Sequence, residues 1–421
     1  MRRLIAVVLV VLALSSSAVR AGGLLLYEVG TPDMGLASAG WAARADDAAT
    51  VLTNPAGMTR LDKNDFLFGL QALYADLEFS PDDRTTYPGG GGGNPVGWFP
   101  GGGLYYVNPT SDRVRLGIAV AGNFGLGLDY EDDWSGRYYV QDGTLLGVSV
   151  LPSIAWKVND TFSIGAALNA MYGIFETKVA VNNLNPSLAD GSLKLEDDVW
   201  GFGGNIGFLL EPNDKTRFGL TYTSPVALDF QDVPQFEGLA PGTSAILESR
   251  GLLDAGIDLS VTVPQTVMAS FVHRLNGRWS LLGNVGWQDW SQFGKVDVLI
   301  ATDDPSSLTV DQNFKDTWHA ALGAELNEAA GWSWSFGAAY DSSCVEDGDR
   351  TPTLPLGEAW RFVFGARRKL SEKLDLGLAY ELAWGGTLSV DQERGPLSGR
   401  LAGAYADTAM HFLSGSLRWK L

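Results

Sequence analysis

Large apolar residues occupy every second position in several segments of this 421-residue chain. From Leu374 to Trp384, the residues between them are Asp, Gly, Ala and Glu. Similar alternation runs from Trp332 to Tyr340, from Trp360 to Phe364 and from Leu413 to Leu421. Successive side chains of a β-strand point to opposite faces, so these segments predict strands with one apolar face and one face that accepts charge.

Short polar turns and longer polar loops separate these segments in a regular order. Six short turns lie at 108–112, 158–160, 211–214, 275–277, 327–331 and 369–373, and seven longer loops lie roughly at 80–102, 130–143, 181–193, 231–255, 301–312, 342–356 and 389–404. Each segment between a turn and a loop is predicted to be a strand, which makes about 14 antiparallel strands. Tight turns at one end and long loops at the other are typical of outer-membrane β-barrels.

The alternation alone leaves open which face points inward. A soluble all-β protein would need a second sheet to cover so many large apolar side chains, and the sequence predicts no amphipathic helices for that purpose. Lipid is the natural cover, and a closed barrel leaves no strand edge unpaired in hydrocarbon. We therefore favour an all-β, 14-stranded antiparallel transmembrane β-barrel over a soluble all-β fold.

The first 21 residues predict export. Arg2 and Arg3 precede an apolar run from Leu4 to Leu14, and small residues lead to Ala21, the pattern of a secretory signal peptide that is cleaved after this alanine. The run is too short to cross a bilayer as a helix, which needs about 20 residues. Cleavage removes three arginines and leaves 27 basic and 49 acidic residues, a net charge of −22. This acidity excludes nucleic acid as a partner, because phosphate binding needs clustered Lys and Arg.

Much of the acidity falls in the predicted extracellular loops, for example from Asp129 to Asp133 and from Glu346 to Asp349. We interpret these runs as solvated surface, and the alternative is divalent-cation bridging to lipopolysaccharide phosphates. The single cysteine, Cys344, cannot form an internal disulfide. We predict no cofactor and no metal site.

About 40 residues between the signal peptide and Phe66 lack strand periodicity. They are rich in Ala and Gly, with one short helix predicted around Leu36 to Ala45, and they are too few to form an independent core. An exposed periplasmic tail would leave Leu24 to Leu26 and Trp41 in water, so we favour a plug in the barrel lumen. The predicted domains are a signal peptide at 1–21, an N-terminal plug at 22–64 and a β-barrel at 65–421.

The segment from Ala39 to Ala48, followed by Asn54 to Met58, resembles the hatch signature of the FadL/TodX family of outer-membrane transporters for long-chain fatty acids and aromatic hydrocarbons. Further matches follow in the same order as in the family, at Asn123–Leu126, Asp132–Tyr138, Pro264, Trp287–Phe293, Phe314–Trp318 and Ala321–Gly323. The resemblance runs the full mature length.

This resemblance implies that a hydrophobic ligand enters from outside, docks in an apolar groove between two long loops and moves to a site in the lumen. Rearrangement of the hatch then lets it leave sideways, where one strand kinks inward. The hatch residues implied are Asn54, Pro55, Ala56 and Gly57, and the kinked strand is implied at Asn123, Phe124 and Gly125. Burial of an acyl chain is worth about 0.8 kcal/mol per CH₂, so sideways exit spares the ligand a return to water.

Two sets of residues are candidates for ligand contact. The longest loop is unusually apolar, with Phe236, Leu239, Leu247 and Leu252, and either binds the ligand or packs as a small core of its own. A carboxylate ligand would need a basic partner, because burying an unpaired charge is unfavourable. Lys315, in a family-like segment, and Arg137, by its chemistry, are the candidates. Arg217 and Arg361 on the lumen face are interpreted as members of interior salt bridges with Asp289, Glu325, Asp375 or Glu381.

The predicted function is passive, hatch-gated transport of hydrophobic small molecules, with long-chain fatty acids first. The alternatives are an aromatic hydrocarbon transporter of the same family and a non-transporting adhesin or receptor. An enzyme is not expected, because none of His273, His319 and His411 has the serine context of a lipid hydrolase.

The predicted location is the outer membrane of a Gram-negative bacterium. The expected partners are the hydrophobic ligand, outer-membrane lipid and lipopolysaccharide. Alternation continues to Leu421, so we also expect insertion by the barrel assembly machinery, and we expect a monomer.

Overall fold

The computed structural model describes residues 24–27, 29–185, 187–301, 306–328 and 331–421. The predicted signal peptide at 1–21 lies outside these ranges, as do the first two residues of the predicted plug. Parts of the predicted loop at 301–312 and of the predicted turn at 327–331 also lie outside them.

Twenty strands are present in the described residues. In chain order they are β1 (Asp65–Asp76), β2 (Phe79–Pro81), β3 (Gly97–Pro109), β4 (Val114–Asp129), β5 (Asp142–Lys157), β6 (Phe162–Val181), β7 (Gly191–Asn213), β8 (Thr216–Thr223), β9 (Val226–Asp232), β10 (Gln235–Glu237), β11 (Gly256–Val263), β12 (Thr266–Arg274), β13 (Trp279–Gln288), β14 (Lys295–Ala301), β15 (Ser306–Asp311), β16 (Thr317–Asn327), β17 (Trp332–Asp341), β18 (Ala359–Lys369), β19 (Leu374–Glu393) and β20 (Arg400–Lys420).

Fourteen of these strands form a closed antiparallel barrel, which confirms the predicted fold class. Their order is β1-β3-β4-β5-β6-β7-β8-β12-β13-β16-β17-β18-β19-β20, and β20 pairs back onto β1. The short strands β2 and β10 extend β20 and β7. No helix among the described residues is long and apolar enough to cross a membrane.

The apolar face of each barrel strand points outward. On β18 the exposed fractions of Trp360, Phe362 and Phe364 are 45%, 51% and 44%, whereas Arg361 between them is buried. On β19 Leu378 is exposed while the nearby Glu381 is completely buried. Lipid is therefore the cover for the apolar face, and the charged positions of these strands line the interior.

The predicted long loops at 231–255 and 301–312, together with the predicted strand segments beside them, contain additional strands outside the barrel. Residues 226–263 and 295–311 contribute β9, β11, β14 and β15, which pair in the order β15-β14-β11-β9 to form a second sheet at the barrel mouth. The predicted loop at 389–404 is also mostly strand, because β19 runs to Glu393 and β20 begins at Arg400. The change from apolar to polar residues marks where a strand leaves the lipid. Backbone pairing between neighbouring strands continues beyond this point, in water.

The N-terminal segment, defined as the described residues from 24 to 61, lies against the inner wall. Its 3-10 helix Pro32–Leu36 contacts β16 to β19, and its 3-10 helix Pro55–Arg60 contacts β4 to β7. A short helix, Thr50–Thr53, lies between them. The helix predicted around Leu36 to Ala45 is absent: Leu36 ends the first 3-10 helix, and residues 37–43 form turns, with positive φ at Ala37 and Ser38.

Glycines on the wall allow this close packing. At each of them a Cβ would overlap or crowd the N-terminal segment, and they are Gly69, Gly117, Gly165, Gly207, Gly219, Gly323, Gly337 and Gly365. They are spread over eight strands, so the segment contacts most of the barrel circumference.

The remaining helices lie between strands on the loop side. They are Pro241–Ser249, Trp290–Phe293 and Gly395–Ser398. Leu228 of β9 packs near Gly173 of β6 and Gly201 of β7, which places the second sheet against the inner side of the barrel mouth.

Candidate ligand site and wall opening

A cavity of about 130 Å³ lies between the N-terminal segment and the inner barrel wall. Its apolar lining includes Leu24, Leu25, Leu126, Trp290, Leu388 and Met410. Its polar lining includes Asp341, Arg361 and Thr408. The cavity therefore has the character of a site for a hydrophobic molecule with one polar end.

The polar end is built on four neighbouring strands. Arg361 of β18 donates to Asp341 of β17 at 2.5 Å and to Glu381 of β19 at 2.9 Å. His319 of β16 completes the network, with its Nδ1 2.7 Å from Asp341 Oδ1. The ring of Tyr27, from the N-terminal segment, lies 4.5 Å from the His319 ring. The Arg361–Glu381 pair matches the prediction of interior salt bridges.

The barrel wall opens between β3 and β4. All residues from 97 to 129 are described, and over this range the β3–β4 ladder ends at the pair Gly103 and Ala121. Residues 97–102 of β3 continue to pair with β1 on their other side. On β4 the register with β5 shifts between Gly122 and Phe124, which marks a bulge at Asn123.

The N-terminal segment fills this opening from inside. Leu26 N donates to Asn123 O at 3.0 Å, and Gly125 N donates to Leu24 O at 2.7 Å. Leu25 and Phe124 form an antiparallel bridge. Above the opening, Asp129 N donates to Pro95 O at 2.8 Å. The three residues implied as the kinked strand thus lie at an irregular stretch of β4 that pairs with the N-terminal segment instead of β3.

Asn54 anchors the N-terminal segment to the wall. Its Nδ2 donates to Ala42 O at 2.6 Å and to Phe208 O at 3.0 Å, and its Oδ1 accepts from Ala56 N at 3.0 Å, which caps the following 3-10 helix. Asn54, Pro55, Ala56 and Gly57 are all buried. The structure places the four predicted hatch residues at a hydrogen-bonded contact with β7.

A buried cluster of charges lies inside the same segment. Arg44 Nη1 donates to Asp33 Oδ1 at 3.0 Å and to Asp47 Oδ2 at 3.2 Å, while Asp46 lies 3.4 Å from Arg217 of β8. Burial raises the pKa of Asp33 to about 6, although Arg44 opposes this shift. Burial would also raise the pKa of Asp46, but Arg217 and Arg44 hold that pKa well below its usual value. Arg217, predicted to pair on the lumen face, thus pairs with the N-terminal segment.

The two basic residues predicted to contact a carboxylate lie outside the cavity. Lys315 is 60% exposed by its side chain and pairs with Glu346 in the 342–358 loop. Arg137 donates to Asp190 at 2.8 Å and to Pro88 O at 3.0 Å, and so holds three extracellular loops together.

The four apolar loop residues also lie outside the cavity. Phe236, in β10, pairs with Leu193 of β7, and Leu239, Leu247 and Leu252 are half-buried around the Pro241–Ser249 helix. In the neighbouring loop, Leu184 and Leu188 are exposed. Asn183 joins the two loops, because it accepts from Ala240 N at 2.8 Å and donates to Gly238 O at 3.0 Å. This arrangement joins the loop with the half-buried apolar residues to the loop with the two exposed leucines.

The histidines and the cysteine are accounted for by local contacts. His273 lies 2.9 Å from the Thr216 hydroxyl, and His411 lies 2.9 Å from the Tyr380 hydroxyl. Among the described residues, no histidine hydrogen-bonds a serine. Cys344 lines the cavity, and burial raises the pKa of its thiol to about 12.

Comparison with known proteins shows which family this chain belongs to. The family model described as outer membrane protein transport protein (OMPP1/FadL/TodX) matches residues 12–414. The chain belongs to this family. It is therefore an outer-membrane transporter of hydrophobic substrates and not an enzyme, which confirms the predicted family, location and class of activity.

The relatives resemble this FadL/TodX-family chain over most of its length. A long-chain fatty acid transport protein of Escherichia coli O6:H1 is 26% identical over 401 residues, covering 88% of this chain and 89% of the relative. Outer membrane protein P1 of Haemophilus influenzae is 27% identical over 414 residues, covering 87% of each chain.

Solved structures share the fold. A Pseudomonas aeruginosa FadL homologue superposes with a TM-score of 0.83 at 20% identity, covering 95% of this chain and 100% of that one. The Pseudomonas putida toluene transporter TodX gives a TM-score of 0.68 at 16% identity, covering 96% of this chain and 99% of that one.

Proposed function

We propose that this transporter carries long-chain fatty acids from the extracellular face into the outer membrane by passive diffusion. The ligand docks on the apolar loop surface, occupies the cavity beside the N-terminal segment, and leaves sideways between β3 and β4. One observation carries the proposal: Leu24 and Leu25 line the cavity and belong to the stretch that blocks the opening in the wall.

Few backbone hydrogen bonds hold this stretch to the wall. Two backbone hydrogen bonds hold it to β4, and each contributes about 0.5–1.5 kcal/mol net. Burial of an acyl chain is worth about 0.8 kcal/mol per CH₂, so a few methylenes entering the cavity offset the loss of both bonds. In this proposal, residues 24–26 are the moving gate, and Asn54 to Gly57 hold the remainder of the hatch in place.

The relatives support the fatty-acid assignment. Those from Escherichia coli, Salmonella typhi and Shigella flexneri, at 25–26% identity, carry the name long-chain fatty acid transport protein. An acyl chain also matches the predominantly apolar lining of the cavity and the single polar end at Arg361.

Aromatic hydrocarbons are the second candidate class, and the volume of the cavity favours them. An apolar protein cavity of about 150 Å³ is known to hold benzene, which is close to the 130 Å³ found in this protein. A full acyl chain would have to extend beyond the cavity, through the opening or toward the loops.

A disulfide across the gate tests the proposal. Leu25→Cys with Phe124→Cys, in a Cys344→Ser background, places two thiols on directly paired residues, whose Cα atoms lie within the range that disulfides span. Uptake of labelled oleate and labelled toluene would be measured in cells that lack their own transporter. We expect uptake to fall at least about tenfold under oxidising conditions and to recover with reductant.

The single-cysteine variants are the controls and should transport under both conditions. Unchanged oleate uptake by the oxidised, cross-linked protein would contradict the gate at β3–β4. Uptake of toluene but not oleate would select the second candidate class. No uptake of either by a barrel shown to be folded would favour the adhesin or receptor alternative.

A further inference from the structure

The polar end of the cavity is rich in carboxylates. Arg361 is the only cation among the described residues that line the cavity, and its guanidinium is already shared between Asp341 and Glu381. Glu381 is completely buried, so a ligand cannot displace it into water. Glu358 also borders the cavity, but its side chain is exposed and accepts a hydrogen bond from the Tyr340 hydroxyl at 2.8 Å.

The net charge of this network does not favour the binding of an anion. With a neutral imidazole, Arg361, Asp341, Glu381 and His319 together carry a net charge of −1, and with a protonated imidazole they carry none. Arg350, a cation on the 342–358 loop, is committed to Asp347 and to the carbonyl oxygens of Leu356 and Ser389. A ligand carboxylate would thus enter a site where carboxylates equal or outnumber the positive charges.

The other described residues around this end of the cavity add no positive charge to the network. Tyr27 approaches from the N-terminal segment, where its hydroxyl accepts from Gln288 Nε2 at 2.6 Å. Strand β20 contributes Thr408 and Met410, and the 342–358 loop contributes the Cys344 thiol. None of these side chains supplies a positive charge.

We propose that the cavity takes the ligand head group in a neutral form that donates a hydrogen bond: a protonated carboxylic acid or a long-chain alcohol. This inference rests on the proposed function, since it specifies the form in which a fatty acid occupies the same site. The carboxylate of Asp341 is an acceptor at the cavity edge, and desolvation near negative charge favours the protonated ligand. The network thereby selects against a bare carboxylate and accepts alcohols of the same chain length.

Competition between matched ligands tests this selection. Purified protein in lipid nanodiscs would be loaded with radiolabelled 1-decanol and titrated with unlabelled 1-decanol or decanoic acid at about pH 5 and about pH 8. Decanol does not titrate, so its own binding controls for protonation of His319 and of the cavity carboxylates.

We expect decanol to bind within about threefold at the two pH values. Decanoic acid should compete well at the lower pH and lose at least about 100-fold in affinity at the higher one, because its neutral fraction falls tenfold per pH unit above its pKa. Decanoate that competes as well as decanol at about pH 8 would overturn the inference while leaving transport intact. Failure of decanol to bind, while radiolabelled decanoic acid binds directly, would overturn this inference alone. Failure of both ligands to bind would overturn the proposed function as well.

A variant without the negative charge of Glu381 tests whether this network causes the pH dependence of decanoate affinity. Glu381→Gln keeps the size of the side chain and removes one negative charge, so the loss of decanoate affinity between the two pH values should shrink to about tenfold or less. The matched control is Glu325→Gln, because Glu325 pairs with Arg367 at 3.0 Å and does not belong to the Arg361 network. Glu325→Gln should keep the full loss of decanoate affinity between the two pH values. An equal loss in the two variants would overturn the assignment of the pH dependence to this network. If Glu381→Gln does not fold, the comparison of decanol with decanoic acid in the wild-type protein still tests the inference.

Discussion

Gly219 of β8 lies directly against the carbonyl oxygen of Ala42, and a Cβ at Gly219 would overlap that oxygen. This is backbone against backbone, so neither side can move as a flexible side chain would. The contact shows how tightly the N-terminal segment is fitted to the wall.

The variant Gly219→Ala should therefore loosen the segment. We expect overpacking to destabilise its docking by about 1–3 kcal/mol, seen as faster tryptic cleavage after the buried Arg44. Gly415→Ala is the control, because a Cβ there meets only Leu378 at an ordinary 3.8 Å. Equal cleavage rates in the two variants would contradict the packing argument.

Removal of the donor group of Asn54 should release the same segment. Asn54→Asp keeps the acceptor for Ala56 N but loses the hydrogen bonds to Ala42 O and Phe208 O, and it buries a carboxyl group. We expect docking to weaken by about 2–3 kcal/mol and ionic leak through planar bilayers to rise. Asn159→Asp is the matched control: its side chain acts only as an acceptor in an exposed turn, at Thr161 N and Phe162 N. Leak like that of wild type in Asn54→Asp would refute the anchor.

Loss of Arg44 should produce a defect that depends on pH. Arg44→Gln leaves Asp33 and Asp47 without their shared guanidinium, and removing one partner of a buried ion pair destabilises by about 3–5 kcal/mol. Cleavage of the N-terminal segment by proteinase K should rise most at about pH 8.

The sign follows from Asp33, whose pKa is raised to about 6 in the folded protein from an ordinary 3.8. The folded state therefore binds this proton more tightly than the unfolded state, and stability from this group falls as pH rises from about 4 through about 6. Protonation of Asp33 at about pH 5 should partly rescue Arg44→Gln. The control Arg84→Gln, which loses only exposed pairs with Asp82 and Asp391, should match wild type at both pH values. A defect independent of pH would contradict this account.

The thiol of Cys344 should react slowly in the folded protein. Its pKa is raised to about 12 by burial, so the thiolate is scarce at neutral pH and the reaction with iodoacetamide should keep accelerating as pH rises above about 9. The reference is Ser187→Cys in a Cys344→Ser background, which places a thiol in the exposed 182–190 loop and should react at least about 100-fold faster. Ligand binding should slow Cys344 further, because Cys344 lines the cavity; acceleration by decanol would place the ligand elsewhere.

Alternation along the strands, together with the order of short turns and long loops, was enough to predict the barrel and its strand number. The lipid-facing side needed the further argument that only lipid could cover so many large apolar side chains. The alternation on β18 places Trp360, Phe362 and Phe364 on one face, because strand periodicity is a local property of the backbone. The residues before Phe66 lack that periodicity and include Leu24 to Leu26, which would be unfavourable in water. These features predicted that the barrel covers the N-terminal segment. The ends of strands were less predictable, since β19 and β20 continue to pair after their residues become polar.

Tertiary structure alone decided which residues meet inside the barrel. Leu25 and Phe124 are far apart in the chain, and their pairing exists only because the β3–β4 ladder stops at Gly103. Arg361 reached the cavity whereas Lys315 did not, because the register of four neighbouring strands fixes the first and an exposed loop carries the second. Sequence determined the local pattern of faces and turns; the closure of the barrel around its N-terminal segment determined the contacts, since these depend on residues that no local pattern relates.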